Sequence, residues 1–188
     1  SGMTTGNNDK YLRFWEEVSI NTIAFNREDM DTVNLKSIYW FPYNKGGPFK
    51  RWYGNNDYIV NWSKSNEFNR SKTTMKYLYL KPCITWSDTT SSIFSARACG
   101  KGFLFDVKGS CAFPDERTYY PLVAILNSKI AMLFIEILNP TITTQIGDLQ
   151  RIPFNNDAFR KSITSTAEEN ITISKIDWDS FEASWDFK

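Results

Sequence analysis

Histidine is absent from all 188 residues. With it go the usual general base near neutral pH, the Ser–His pair of nucleophilic hydrolases, and every zinc site built on imidazole. Cysteine is scarce. Cys83, Cys99 and Cys111 are odd in number and none has CxxC spacing. That pattern excludes a disulfide framework and fits reduced, buried thiols, with no metal site expected. No stretch reads as a signal peptide or a membrane span, so a cytoplasmic location and no membrane partner are expected. A phosphate loop is also missing: glycines occur near Gly6, but GxxxxGK[ST] and a preceding strand do not. Internal repeats and low-complexity tracts are lacking as well.

Aromatic residues are plentiful, at 7 Trp, 9 Tyr and 14 Phe. Such an excess suits either a large core or a surface that stacks on a partner. The net charge of +1 hides a strong asymmetry. Residues 36–108 hold 12 Lys/Arg against 4 Asp/Glu, whereas residues 111–188 hold 7 against 11. A basic middle fits a polyanion such as nucleic acid, and equally a solvated lysine-rich face.

The hydropathy pattern alternates between short extended runs and turns through residue 113. Strands are expected at 34–41 (closed by Pro42), 58–62, 75–80 and 103–107, while 84–86 leads into a Ser/Thr-rich segment. Asn8 or Asp9 would cap a short helix carrying Tyr11, Leu12, Phe14 and Trp15. Two prolines and three glycines make 42–56 a loop or hairpin tip, in which Lys45, Lys50 and Arg51 interleave with Tyr43, Phe49, Trp52 and Tyr53. Residues 63–74 read as a polar surface loop, and 100–102 and 108–110 as turns. From 119 to 138, Leu122, Ile125, Leu126, Ile130, Leu133, Phe134, Ile137 and Leu138 recur at steps of three and four, which predicts one core helix ended by Asn139-Pro140. Gly147-Asp148 marks a turn between two extended pieces. Asp177 would cap a short final helix bearing Trp178, Phe181 and Trp185. Between two apolar ends lies the segment 85–97, rich in Ser and Thr with one carboxylate and one guanidinium. Such residues bond their own backbone in turns, or present hydroxyls to a partner.

Several local patterns share one resemblance. Gly2-Met3-Thr4-Thr5-Gly6-Asn7-Asn8, Trp40-Phe41-Pro42-Tyr43-Asn44-Lys45-Gly46-Gly47 and Ile84-Thr85-Trp86-Ser87 resemble the adenine-specific DNA methyltransferases of bacteriophage-exclusion (BREX) systems, the PglX family. So do Leu126-Asn127-Ser128-Lys129, Asn139-Pro140-Thr141, Gly147-Asp148-Leu149, Glu169-Asn170-Ile171, Asp177-Trp178-Asp179-Ser180-Phe181-Glu182 and Ser184-Trp185-Asp186-Phe187. The resemblance runs from near residue 2 to the last residues and is weakest over 63–75. It implies a target-recognition domain, similar to the specificity domains of type IIG restriction-modification enzymes and of type I specificity subunits. The implied fold is α+β, a twisted, largely antiparallel sheet of short strands with the Leu-Asn-Ser helix packed on it. The implied role is choosing the DNA sequence at which a neighbouring domain methylates adenine N6, in restriction-modification or defence against phage.

N6-adenine methylation needs a [DNS]PP[YF] loop for a flipped base and a glycine-containing strand end for S-adenosylmethionine. Neither is present. Asn139-Pro140-Thr141 begins like the first, but lacks the second proline and the aromatic residue. A non-catalytic region with no cofactor of its own is therefore expected, S-adenosylmethionine being the cofactor of the parent enzyme. Residues 1–167 are expected to form the DNA target-recognition domain, and 168–188 an acidic helical extension. Phosphate-contact candidates are Lys45, Lys50, Arg51, Arg97 and Lys101. Base or groove candidates are Thr85, Ser87, Asp88, Thr89, Thr90, Ser91 and Ser92, since hydroxyls bond donors or acceptors and Asp accepts from cytosine N4. Expected partners are double-stranded DNA, the methyltransferase domain of the same parent chain and other defence-system subunits. The alternative is an interaction module that docks a partner through the acidic, aromatic segment 168–188.

Overall fold

A computed structural model describes residues 2–71, 74–90, 93–153 and 160–187. The fold is α+β, with the strands divided between two sheets. The first sheet has the order β1-β3-β2-β6, built from β1 (Leu12–Phe14), β2 (Trp40–Asn44), β3 (Tyr58–Asn61) and β6 (Leu104–Phe105). β3 pairs antiparallel with β1 and β2, and β2 pairs parallel with β6. The second sheet has the antiparallel order β5-β4-β7, from β4 (Cys83–Ser87), β5 (Ala96–Cys99) and β7 (Gly109–Ala112).

Pro42 does not close a strand that begins at residue 34; it lies inside β2, which starts at Trp40. The carbonyls of Trp40 and Asn44 bond on the side away from β3, to Ala24 and Asp106. Strand parity therefore turns the missing N–H of Pro42 to that same side, where pairing with β6 starts only at Tyr43. The cap of α1 (Asn8–Tyr11) is Asn7, whose side chain accepts from the Lys10 N–H, and the chain turns at once into β1. Residues 75–80 form no strand but a single 3-10 turn, Lys76–Leu78. Trp62–Glu67 is likewise a 3-10 segment. The stretch 108–110, expected as a turn, enters β7 because Gly109 must pass directly beneath β2. A Cβ there would stand 2.2 Å from the Asn44 carbonyl oxygen.

The register of the second sheet sorts its side chains onto two faces. Ile84, Trp86 and Ala96 face Val123, Leu126, Ala131 and Ile135 of two helices. Cys83, Thr85, Arg97, Cys99 and Cys111 share the opposite face by register, where Cys83 and Cys99 join a cluster with Phe103 and Trp185. The first sheet carries the larger core, around Phe41, Tyr43, Val60, Trp62, Leu80 and Leu104.

The single helix expected over 119–138 is two, α2 (Glu116–Leu126) and α3 (Lys129–Leu138), bent by 73°. Asn127 makes the break. Its Oδ1 accepts from the Ala96 N–H at 3.0 Å, and its Nδ2 donates to the carbonyls of Ala96 and Val123 at 2.9 and 3.1 Å. Ser128 then caps α3 by accepting from the Ala131 N–H. Gly147-Asp148 lies in a short helix, α4 (Ile146–Leu149), not in a turn between extended pieces.

The last helix is not short and is not capped by Asp177. It is α5 (Lys161–Asp179), 19 residues that pack on α2. Position 168 lies within it. Beyond α5, Trp185 stacks near Phe25 and Phe103, with ring centroids 5.0 and 5.8 Å away, and the Trp15 indole donates to the Ala183 carbonyl. Among the described residues no single helix is long and apolar enough to cross a membrane.

Candidate nucleic-acid interface

The basic loop after β2 and the hydroxyl-rich segment after β4 meet through one side chain. The Ser87 hydroxyl accepts from the Gly47 N–H at 3.0 Å and donates to the Gly47 carbonyl at 2.9 Å. Gly46 and Gly47 adopt φ of +87° and +149°, which L side chains resist, so the tip requires glycine. A Cβ on Gly46 would also touch the Lys108 carbonyl and Ser87 Oγ at 3.2 and 3.4 Å. The clasp fixes Lys45 beside Asp106. The Lys45 ammonium lies 3.1 Å from Asp106 Oδ2, which also accepts from the Tyr43 hydroxyl at 2.7 Å, while Oδ1 accepts from the Lys108 N–H at 2.8 Å. Burial first, then the Asp106 charge, pushes the Tyr43 hydroxyl well above its ordinary range, so it remains a neutral donor.

Residues 88–90 are a paired ribbon. The Asp88 N–H donates to the Lys108 carbonyl, its own carbonyl accepts from Thr144, Thr89 bridges Thr143, and the Thr90 N–H donates to Ile142. Backbone pairing thus sets Ser87, Asp88, Thr89 and Thr90 near the exposed Lys108, and the Gly47 contact brings the loop that carries Lys45 to Ser87. Asp88 Oδ1 is buried without a hydrogen-bond partner among the described residues. Burial raises the carboxyl of Asp88, with the Ser110 hydroxyl and the Lys108 charge acting the other way. Two hollows adjoin these stretches. A polar cleft of about 480 Å³ is lined by Lys45, Asn8, Arg13, Phe14 and Tyr58 among others. An apolar cavity of about 750 Å³ is walled by Trp86, Phe113, Leu126 and Ile152, with Asp88 and Lys108 among its polar residues.

Other candidates lie elsewhere. Lys50 sits over the Trp178 ring, 5.5 Å from its centroid, and Arg51 over Phe49, with Nη2 3.8 Å from Met132 Sδ. Lys101 pairs with Glu28. Arg97 corrects the sequence expectation. Strand parity turns it inward, leaving it 2% exposed, so its guanidinium has no surface from which to meet a phosphate. Its Nε and Nη1 have no hydrogen-bond partner among the described residues, and burial pulls its pKa down to about 10, so it stays a cation. Thr85 is also 2% exposed, its hydroxyl donating to the Ser110 carbonyl, so it reads no base from there. Ser91 and Ser92 lie outside the described residues.

Lys108 and Arg13 were not singled out by sequence reasoning. Lys108 is hidden in a Lys-Gly-Ser triplet that reads as a turn, and Arg13 in an expected helix. Their signal is positional: each adjoins a residue that the fold brings to Lys45.

The remaining chemistry-bearing groups serve the fold. The Asn44 amide donates to Cys99 Sγ at 3.2 Å and approaches Cys83 at 3.8 Å. All three cysteines are free thiols, and hydrogen bonds with Cys111 and Cys99 push the Cys83 thiol well up. Among the described residues no group of three Cys, Asp or Glu is arranged to hold a metal. Asn139 does not fit a methyltransferase base-binding loop. Its amide donates to the Thr143 carbonyl and Asp148 Oδ2 at 2.8 and 2.7 Å, and its Oδ1 accepts from Thr141.

No family model matches the chain. It is 38% identical, over 99% of its length, to "Adenine-specific methyltransferase PglX" of Lacticaseibacillus casei (strain Zhang), covering 16% of that protein. It is 35% identical, over 98% of its length, to "Adenine-specific methyltransferase BrxX" of Escherichia coli O9:H4 (strain HS), covering 15% of it. The chain is thus homologous to a small part of these adenine-specific methyltransferases and spans about a sixth of their length.

Proposed function

We propose that this chain is the DNA target-recognition region of a longer adenine-specific methyltransferase, acting in restriction-modification or phage defence. The observation that carries the reading is the Ser87–Gly47 clasp, which joins the loop bearing Lys45 to the stretch where Asp88 and Thr89 run beside Lys108. Homology to such enzymes along nearly the whole chain supports it. In this reading the two ammonium groups meet phosphates and set the register on the duplex. Asp88, half-buried on that stretch, is the acceptor for a base amino group such as cytosine N4, and the exposed Thr89 offers a hydroxyl to the next base edge. The region does no chemistry. S-adenosylmethionine and the flipped adenine belong to parts of the polypeptide beyond these residues, since Asn139 is committed to its own turn.

The test is duplex binding across a salt series, paired with methylation mapping in the longer enzyme. Lys108→Ala should weaken binding to all sequences and lower the salt slope by about 1. Asp88→Asn keeps size but converts an acceptor into a donor, so it should shift base preference at one position by about 1–3 kcal/mol. Equal losses on specific and random duplex from Asp88→Asn would refute base reading. The rival reading, docking through the acidic end, loses its strongest anchors. Trp178 lies against Lys50 and Gly54, and Trp185 against Phe25 and Phe103.

A further inference from the structure

The periodicity of 119–138 reads as one core-facing stripe, yet three of its eight apolar positions are exposed. On α3, Ala131 and Ile135 are buried, whereas Ile130, Leu133 and Ile137 are 68%, 56% and 67% exposed. Spaced i, i+3 and i+7, these three stand on one face of the helix. Ile142 and Ile146, in the segment that follows and packs back on α3, are 64% and 44% exposed. The only charged residues of α3 are Lys129 and Glu136. Isolated exposed aliphatics are ordinary, but a clustered helical stripe of them marks an interaction site.

We propose that the Ile130–Leu133–Ile137 face of α3 docks an apolar helical segment of the same longer polypeptide, lying outside these 188 residues. The inference rests on the reading of the chain as part of such a polypeptide, but not on its binding DNA. Homology covers 98–99% of this chain and only 15–16% of the relatives, so α3 itself lies in the shared region. A face left bare when a packed polypeptide is divided has this character: aliphatic, regularly spaced and poor in charge. A covalent tether also suits its small size. Effective concentrations on the order of mM keep such a patch covered without the affinity a separate partner needs. One lysine and one glutamate do not supply the basic polar face of a membrane-surface helix.

The test is maleimide labelling of Leu133→Cys and Ile137→Cys, each made in the 188-residue chain and in the full-length gene product. The unsubstituted proteins give the background from Cys83, Cys99 and Cys111, and Tyr77→Cys, at a 69% exposed position, reports general accessibility. Labelling at 133 and 137 should be at least tenfold slower in the full-length protein, with no dependence on concentration in the short one. Equal rates in both would overturn the proposal. Protection already present in the short chain and growing with its concentration would assign the face to a second copy. Protection that appears only with anionic phospholipid vesicles would assign it to a membrane. Either result overturns the proposal too. Duplex binding by the unsubstituted full-length protein is the independent readout: no sequence preference there, with protection at 133 and 137 intact, would sink the DNA reading alone.

Discussion

Replacing Asn127 with alanine removes the group that breaks one apolar stripe into two helices, and the cost follows from its partners. The Ala96 N–H, in a residue with 0% exposure, loses its acceptor. An orphaned buried donor costs about 1–3 kcal/mol. The carbonyls of Ala96 and Val123 lose the amide but keep backbone donors, Trp52 and the Asn127 N–H itself. Those two losses add about 0.5–1 kcal/mol each. A total near 3 kcal/mol corresponds to a melting temperature lowered by roughly 6–12 °C for a domain of this size. Asn127→Asp sharpens the test. One carboxylate oxygen still accepts from Ala96, but the other faces two carbonyls, so the charged form is disfavoured and its pKa rises. The raised value means that stability is retained at low pH and lost as pH rises through the folded pKa. Asn127→Asp should therefore be the worse variant at pH 7 and recover toward pH 4, where the acid again donates. Urea denaturation at both pH values reads this directly. A loss below about 1 kcal/mol for Asn127→Ala, against the range for buried unsatisfied groups, or an aspartate variant indifferent to pH, would refute the Asn127 side-chain bonds as the origin of the bend.

Three further outcomes are expected. Gly109→Ala places a Cβ against the Asn44 backbone, which cannot yield as a side chain would; the loss should lie at or above the top of the ~1–3 kcal/mol overpacking range, measured by denaturation. Hydrogen bonds from Lys10 and then Tyr11 lower the Glu67 carboxyl from 4.5 to about 2, so the interaction is fully present above 4.5 and lost as pH falls toward 2; in an NMR titration Lys10→Met should return the midpoint toward 4.5. Arg97→Met should leave the salt slope of DNA binding unchanged, unlike Lys108→Ala. Burial already raises the Asp57 carboxyl and Arg97 opposes that rise, so any destabilisation by Arg97→Met should shrink as pH falls toward the ordinary 3.8, which a pH series of melts would show.

The parts of this fold that were legible in sequence are those where local chemistry and tertiary demand agree. Residues 58–62 read as strand, and Tyr58–Asn61 is one. Asn139-Pro140 stops a helix in both views. The misreadings arise where a distant partner decides. Nothing in the apolar spacing announces a bend at Asn127, because both helices carry hydrophobic residues at the same step; the break is set by Ala96, 31 residues earlier. The start of α5 is obscured by its serines and threonines, which weaken the apolar stripe until α2 supplies the packing. Arg97 looked like a surface cation because its neighbours Ala96 and Ala98 are too small to advertise a core strand. Lys45, Ser87, Asp88 and Thr89 were legible as candidates, but that Ser87 joins the two stretches follows only from the 40-residue span to Gly47.

The contacts of Trp15 with Ala183 and of Trp185 with Phe25 have a consequence for how the protein is made. They link residues 168 and 160 positions apart. At about 5–20 residues per second, a ribosome takes roughly 8–34 s to travel from Trp15 to Ala183. Over that interval β1, β2 and β3 can pair, yet Phe25 and Phe103 wait for the indole that covers them. The nascent chain therefore carries these aromatic rings bare until residue 185 has emerged, and the dwell time before closure is set by translation rather than by the speed of its own helices and hairpins.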